Sequence, residues 1–260
     1  MNTHVLQAEI LKPKALDPTA WAAIRDCFDR LQGAVRANDR PLAIGSAKDL
    51  VEATARVVLD SRGQPAGSNE EYDKVLNLAH RAIEYQPGPG LSPDAAVRQA
   101  ANSAKKLAAQ LRELRNSYGT GHGRSTLPLI EDEVIETCVD GALLWTRWAL
   151  RRLQFLIIGS VQQLVTDLHS STFSTGDLAT RLQAADLPRL PFENQRRLGG
   201  RLANVRRGTR SRSGKTGSKP ARPVKTMPHG LPDTAKEWPN VSSLMLRARS
   251  ESTCTRSAPG

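Results

Sequence analysis

Residues 100–123 read AANSAKKLAAQLRELRNSYGTGHG. Ala100, Ala104, Leu107, Leu111, Leu114 and Tyr118 recur at three- and four-residue spacing, the interval that stacks side chains on one face of an α-helix. An apolar face sustained over so many turns is expected to be buried. Gly119, Gly121 and Gly123 then end the helix, because glycine enters backbone conformations that leave the helical path.

The neighbouring segments carry the same period. Asp17-Pro18 is an N-cap followed by proline at the first helical position, opening a helix to about Asn38. A second begins near Arg40-Pro41, places Ala43, Ala47, Leu50, Val51, Thr54 and Val58 on one side, and ends at Arg62-Gly63. A third, capped by Ser68 or Asn69, aligns Tyr72, Val75, Leu76, Ala79 and Ile83; Pro87-Gly88-Pro89-Gly90 stops it. Ser92-Pro93 opens the helix quoted above. Downstream, Glu131, Asp132 and Glu133 suit the first turn of a fifth helix, where its dipole favours negative charge. That helix starts near Ile130, passes Val139, Leu143, Trp145 and Leu150, bends around Gly159 and reaches about His169. Residues 1–170 therefore predict an all-α bundle.

After Ser170 the character changes. A short helix around Leu178 to Leu182, a break at Pro188 and Pro191, and an arginine-rich helix from Glu193 to Val205 form residues 171–205. Two short helices around a turn fit a small helix-turn-helix-like or winged-helix-like module, or an appendage docked on the bundle. Residues 206–260 have the composition of a basic low-complexity wing or linker and a disordered tail.

Composition agrees with a helical chain. Apolar residues make up 39% and aromatics only 4%, so the core is built from Leu, Ala and Val rather than from the aromatic residues a β-sandwich favours. Between Arg181 and Lys225 there are thirteen basic and two acidic residues, which is the whole net charge of +11. Such a cationic stretch attracts polyanions by counterion release, and RNA or DNA is the expected partner. Arg196, Arg197, Arg201, Arg206, Arg207, Arg210, Arg212 and Lys215 are its candidate nucleic-acid-binding residues. Gly214-Lys215-Thr216 resembles the end of a phosphate-binding loop, but Thr209 stands where that motif needs its first glycine.

Cys27, Cys138 and Cys254 lie far apart with no CxxC pair, and the five histidines lack metal-ligand spacing, so no metal, disulfide framework or other cofactor is expected. The most apolar stretch, Trp145 to Val165, carries Arg147, Arg151 and Arg152; no membrane span is expected, and the cytoplasm is the expected location.

One string carries chemistry. Arg115 and Asn116 follow the stripe residue Leu114, and the glycines let the chain turn back so that His122 can approach Arg115. The negative end of the helix dipole there would favour protonated His122. RNA supplies its own nucleophile, the 2′-hydroxyl, so a protein need only move protons and stabilise charge on phosphorus. Imidazole moves protons near neutrality, and a guanidinium meets phosphate oxygens with a fork of donors. A plain C-cap with a histidine bound to a carbonyl is the competing reading of the same residues.

The string Arg115-Asn116-Ser-Tyr-Gly119-Thr-Gly-His122-Gly123 resembles the Arg-Asn-x-x-Gly-x-x-His-Gly signature of the abortive-infection protein C-terminal-like domain, in the HEPN superfamily. The segment Ala43 to Glu52 resembles the Ala-Lys-x-Leu-x-Glu pattern of that family's early helix. The similarity spans about residues 41–153. It implies a HEPN-type helical bundle that dimerises and acts as a metal-independent endoribonuclease in phage defence or toxin systems. It assigns Arg115 and His122 as catalytic and Asn116 as the accompanying polar residue. Lys48, Glu52, Gly119 and Gly123 carry over only as supporting positions. The alternative is a non-catalytic nucleic-acid-binding or regulatory protein that uses the basic module and keeps the bundle for dimerisation.

Overall fold

The computed structural model describes residues 9–118, 129–170, 173 and 175–212, with side chains up to residue 203. Every regular element among them is helical: α1 (Pro18–Arg36), α2 (Arg40–Ser61), α3 (Tyr72–Ile83), α4 (Ala95–Tyr118), α5 (Asp132–Ile158), α6 (Val161–Ser170), α7 (Leu178–Ala185) and α8 (Phe192–Arg212). A single 3-10 turn, Leu187–Arg189, joins the last two. Met1–Ala203 form one compact unit and Asn204–Gly260 a second, of which only the α8 backbone is described.

Helix starts follow the local chemistry. The Asp17 carboxylate accepts hydrogen bonds from the backbone of Thr19 and Ala20 at 2.8 and 3.0 Å, and Pro18 sets the first turn of α1. Asp39 caps α2 through Leu42, and Asp177 caps α7 through Thr180. Helix α3 starts at Tyr72, later than Ser68 or Asn69 predicted, with Glu71 at its cap position.

Helix α2 is the centre of the bundle and packs against α1, α3, α4 and α5. The residues expected to face inward do so: Ala43, Ala47, Leu50, Val51, Thr54 and Val58 are all buried. Thr54 satisfies its hydroxyl by donating to the carbonyl of Leu50 at 2.8 Å. Burying Leu50, Val51 and Val58 contributes on the order of 1.5–3 kcal/mol for each. The expected face of α3 is also buried throughout.

Helix α4 keeps most of its expected face and departs from it at two positions. Ala101, Ala104, Ala108 and Leu111 are buried, Leu114 and Tyr118 pack on the core in part, and Ala100 is exposed. Small side chains at the contact let α4 lie close to its neighbours, and Leu107 reaches across to α5 at Gly141, where a Cβ would lie 2.7 Å from it. The spacing missed by one residue at two positions, Ala100 for Ala101 and Leu107 for Ala108.

The bend expected at Gly159 is a complete break between α5 and α6. A Cβ at Gly159 would fall 2.4 Å from the backbone of Ala184, so glycine lets α7 pack against the break. Leu164, Val165, Leu168, Ala185 and Leu198 make a small core of α6, α7 and α8. Helix α8 continues past Val205 to Arg212, so the backbone of Arg206, Arg207, Arg210 and Arg212 is helical, and Lys215 lies outside the described residues.

Candidate functional site

The last turn of α4 holds Arg115 and Asn116. Leu111 below them is buried and Leu114 and Tyr118 pack on the core, so the backbone at this end is anchored. Arg115, one residue past Leu114, is half-buried, and Asn116 is exposed. Among the described residues Arg115 has no carboxylate partner. Arg112, one turn earlier on the same helix, pairs with Asp73 at 2.7 Å and with Glu113 at 2.9 Å. A cation in the last helical turn is favoured by the dipole. Gly119, His122 and Gly123 lie outside the described residues.

Lys48 and Glu52 meet one another one turn apart on α2, and Arg56 joins Glu52 at 2.9 Å from the following turn. Burial opposes the charge on Glu52, but hydrogen bonds from Lys48 and Arg56 hold its carboxyl below the usual range. The Lys48 ammonium lies 5.2 Å from the centre of the Tyr72 ring. Tyr72 in turn donates its buried hydroxyl to the Ala108 carbonyl of α4 at 2.7 Å, and burial pushes its pKa up. These contacts tie α2, α3 and α4 together. Arg115 takes part in none of them, so Lys48 and Glu52 read as an ion pair that braces α2 against its neighbours. Arg56 escaped the sequence reading, which placed Tyr72 only on the apolar face of α3; the four-residue interval from Glu52 to Arg56 was the signal for Arg56.

A second polar cluster lies between α3 and α5. His80 is buried, stacks on Trp148 with ring centres 4.7 Å apart, and accepts a hydrogen bond at Nδ1 from the Trp145 indole at 3.3 Å. Burial pushes its pKa down from 6.5 to about 4, with Lys105 and Arg152 adding to the effect and Asn102 opposing it. Arg152 donates to the carbonyls of Glu84 and Gln86 at 2.9 and 3.1 Å, closing the C-terminal end of α3. A neutral histidine bound inside the bundle is a structural group.

On α8, Arg196, Arg197 and Arg201 are exposed, and Arg197 donates to Gln162 at 3.1 Å. Arg181 of the same charge run belongs to the interior: it is 1% exposed, pairs with Asp167 and donates to the Ile158 carbonyl at 3.1 Å. The surface charge of this stretch is therefore smaller than its composition suggests. Cys27 and Cys138 are buried free thiols. No group of three or more candidate metal ligands occurs among the described residues. No described helix is long and apolar enough to cross a membrane.

Residues 22–146 match the family model of the HEPN-like domain. Over this segment the chain is similar to the HEPN-like domain. The match takes in most of α1, all of α2, α3 and α4, and α5 as far as Thr146, and so contains both strings that carried the resemblance. It begins before the expected residue 41 and ends before the expected residue 153. Comparisons with curated proteins and with solved structures give no match.

Proposed function

We propose that the HEPN-like domain cleaves RNA without a metal, as an effector of abortive infection in the cytoplasm. In this reading Arg115 holds the scissile phosphate and stabilises its developing charge, His122 transfers a proton to or from the reacting oxygens, and Asn116 orients one of them. One catalytic histidine per chain supplies half of an acid–base pair, so the working unit is a homodimer that shares the site across its two-fold axis. The exposed arginines of α8 hold nucleic acid through its phosphates.

The observation that supports the reading best is Arg115 itself. It stands half-buried in an anchored final turn without a carboxylate partner among the described residues, whereas Arg112 has two. Incubating the purified protein with total RNA, with and without chelator, tests it. Cleavage that persists in chelator and disappears in His122→Ala is the expected result. RNA that stays intact while still binding would favour a non-catalytic role. A strict monomer that cuts RNA would sink the shared site.

A further inference from the structure

The C-terminal half of α5 forms one side of a cleft of about 550 Å³ whose other side is the segment before α1. Glu9, Leu11, Lys12 and Pro13 line it from the segment, facing Arg147, Leu150, Arg151, Gln154 and Phe155 of α5. All of the α5 residues fall outside the matched domain, and neither element carries Arg115, Asn116 or His122. The wall is fixed in place: Ile10 is buried in the core, the Arg147 side chain donates to the Glu9 carbonyl at 2.9 Å, and Leu16 closes a turn onto Pro13 at 3.0 Å.

The lining has two chemistries. Lys12, Arg147 and Arg151 outnumber the single carboxylate of Glu9, and none of the three has an ion-pair partner among the described residues. Arg147 and Arg151 are one turn apart, so their guanidinium groups can converge on one anion. Leu150, Pro13 and Phe155 make an apolar floor, and Gln154 offers both a donor and an acceptor. The volume lies within the usual range of small-molecule sites, roughly 300–1,000 Å³, and is far more than a bare oxyanion fills. We propose that this cleft binds an organic phosphate, a phosphomonoester carried on a flat or apolar body that lies against Leu150 and Phe155. A free nucleotide and the 5′-phosphorylated end of a nucleic-acid strand share this chemistry.

Titration calorimetry on the full chain tests the site with adenosine 5′-monophosphate, adenosine and inorganic phosphate. The monophosphate should bind saturably, and the other two about tenfold more weakly or worse, since each lacks one half of the recognition. Lys12→Gln with Arg151→Gln should weaken monophosphate binding by about tenfold or more, the loss expected for charge-assisted hydrogen bonds. Both residues are exposed, so the melting curve should not move; if the double variant melts lower, Arg151→Gln alone repeats the test. Arg115→Gln should leave this binding unchanged, which separates the cleft from the proposed cleavage site. A short deoxyoligonucleotide with and without a 5′-phosphate distinguishes a strand end from a free nucleotide. Adenosine binding as well as its monophosphate, no saturable binding of the monophosphate, or full affinity in the double variant would each overturn the proposal.

Discussion

Arg151 and Arg152 are neighbours in sequence and opposites in the fold. Arg152 is 4% exposed and its donors end on carbonyls at the close of α3; Arg151 is exposed and lines an open cleft. The same division separates Arg181, buried against Asp167, from Arg196 and Arg201 on the surface of α8. A step of one residue turns a helix by about 100°, so adjacent cations can serve the interior and the outside. Charge in this protein divides into arginines that close the fold and arginines whose donors face outward. The largest test of that division is catalytic. His122→Ala should lower RNA cleavage by roughly 10²–10⁴-fold, the usual worth of general acid–base catalysis. Arg115→Lys should also impair it, because an ammonium cannot reproduce a bidentate contact with phosphate. Both variants should bind RNA and keep the wild-type melting curve. Unfolding of either one would move that residue to the structural side.

The interior arginines should fail in the opposite way. Arg181→Met leaves Asp167 charged and buried, which costs roughly 3–5 kcal/mol when one partner of a buried pair is removed. Urea unfolding should register that loss, while RNA cleavage by the fraction still folded should be normal per molecule. A change below about 1 kcal/mol would mean that Arg181 is dispensable to the packing of α7 on α5.

His80 gives the comparison a pH axis. Its pKa is about 4 when folded and 6.5 when free, so the unfolded chain takes up the proton more readily. The stability contributed by neutral His80 is complete above pH 6.5 and falls as pH drops from there towards 4. The full span is about 3 kcal/mol. Melting temperatures between pH 8 and 4 should decline across that window, and His80→Gln should flatten the curve. A decline that survives in His80→Gln would assign the acid sensitivity elsewhere.

The helical periods, caps and stops were legible because they are local: proline after aspartate, and apolar residues at a 3.6 period, act within one or two turns. The exact face of α4 was not, since its alanines are buried by the closeness of α2 and α5, which no local pattern encodes. The candidate site divides likewise. The place of Arg115 and Asn116 at the end of α4 could be read from their string, and the contact of Lys48 with Glu52 from helical spacing. The contact of Lys48 with Tyr72 joins residues 24 positions apart, and Arg181 with Asp167 crosses from α7 to α6. Such pairs are set by tertiary packing. The charge tally failed on Arg181 for that reason: composition counts a buried cation and an exposed one alike.

The smallest effect on stability is expected where the charge is most exposed. Arg196 and Arg201 lie on the surface of α8, and neither has an ion pair among the described residues. Replacing both with Gln should change the unfolding free energy by no more than about 0.5 kcal/mol, the ordinary range for surface positions. Nucleic-acid binding is the sensitive readout. Each phosphate contact removed should flatten the slope of log affinity against log salt by about 0.7 for a single strand and about 0.9 for a duplex. Loss of both contacts therefore predicts a change of roughly 1.4 with single-stranded RNA. Arg181→Met should leave that slope untouched, since a buried cation displaces no counterion. Equal slopes for wild type and the α8 double variant would show that these arginines are only a solvated face. A flattened slope in Arg181→Met, measured on folded protein, would break the division between interior and outward-facing cations.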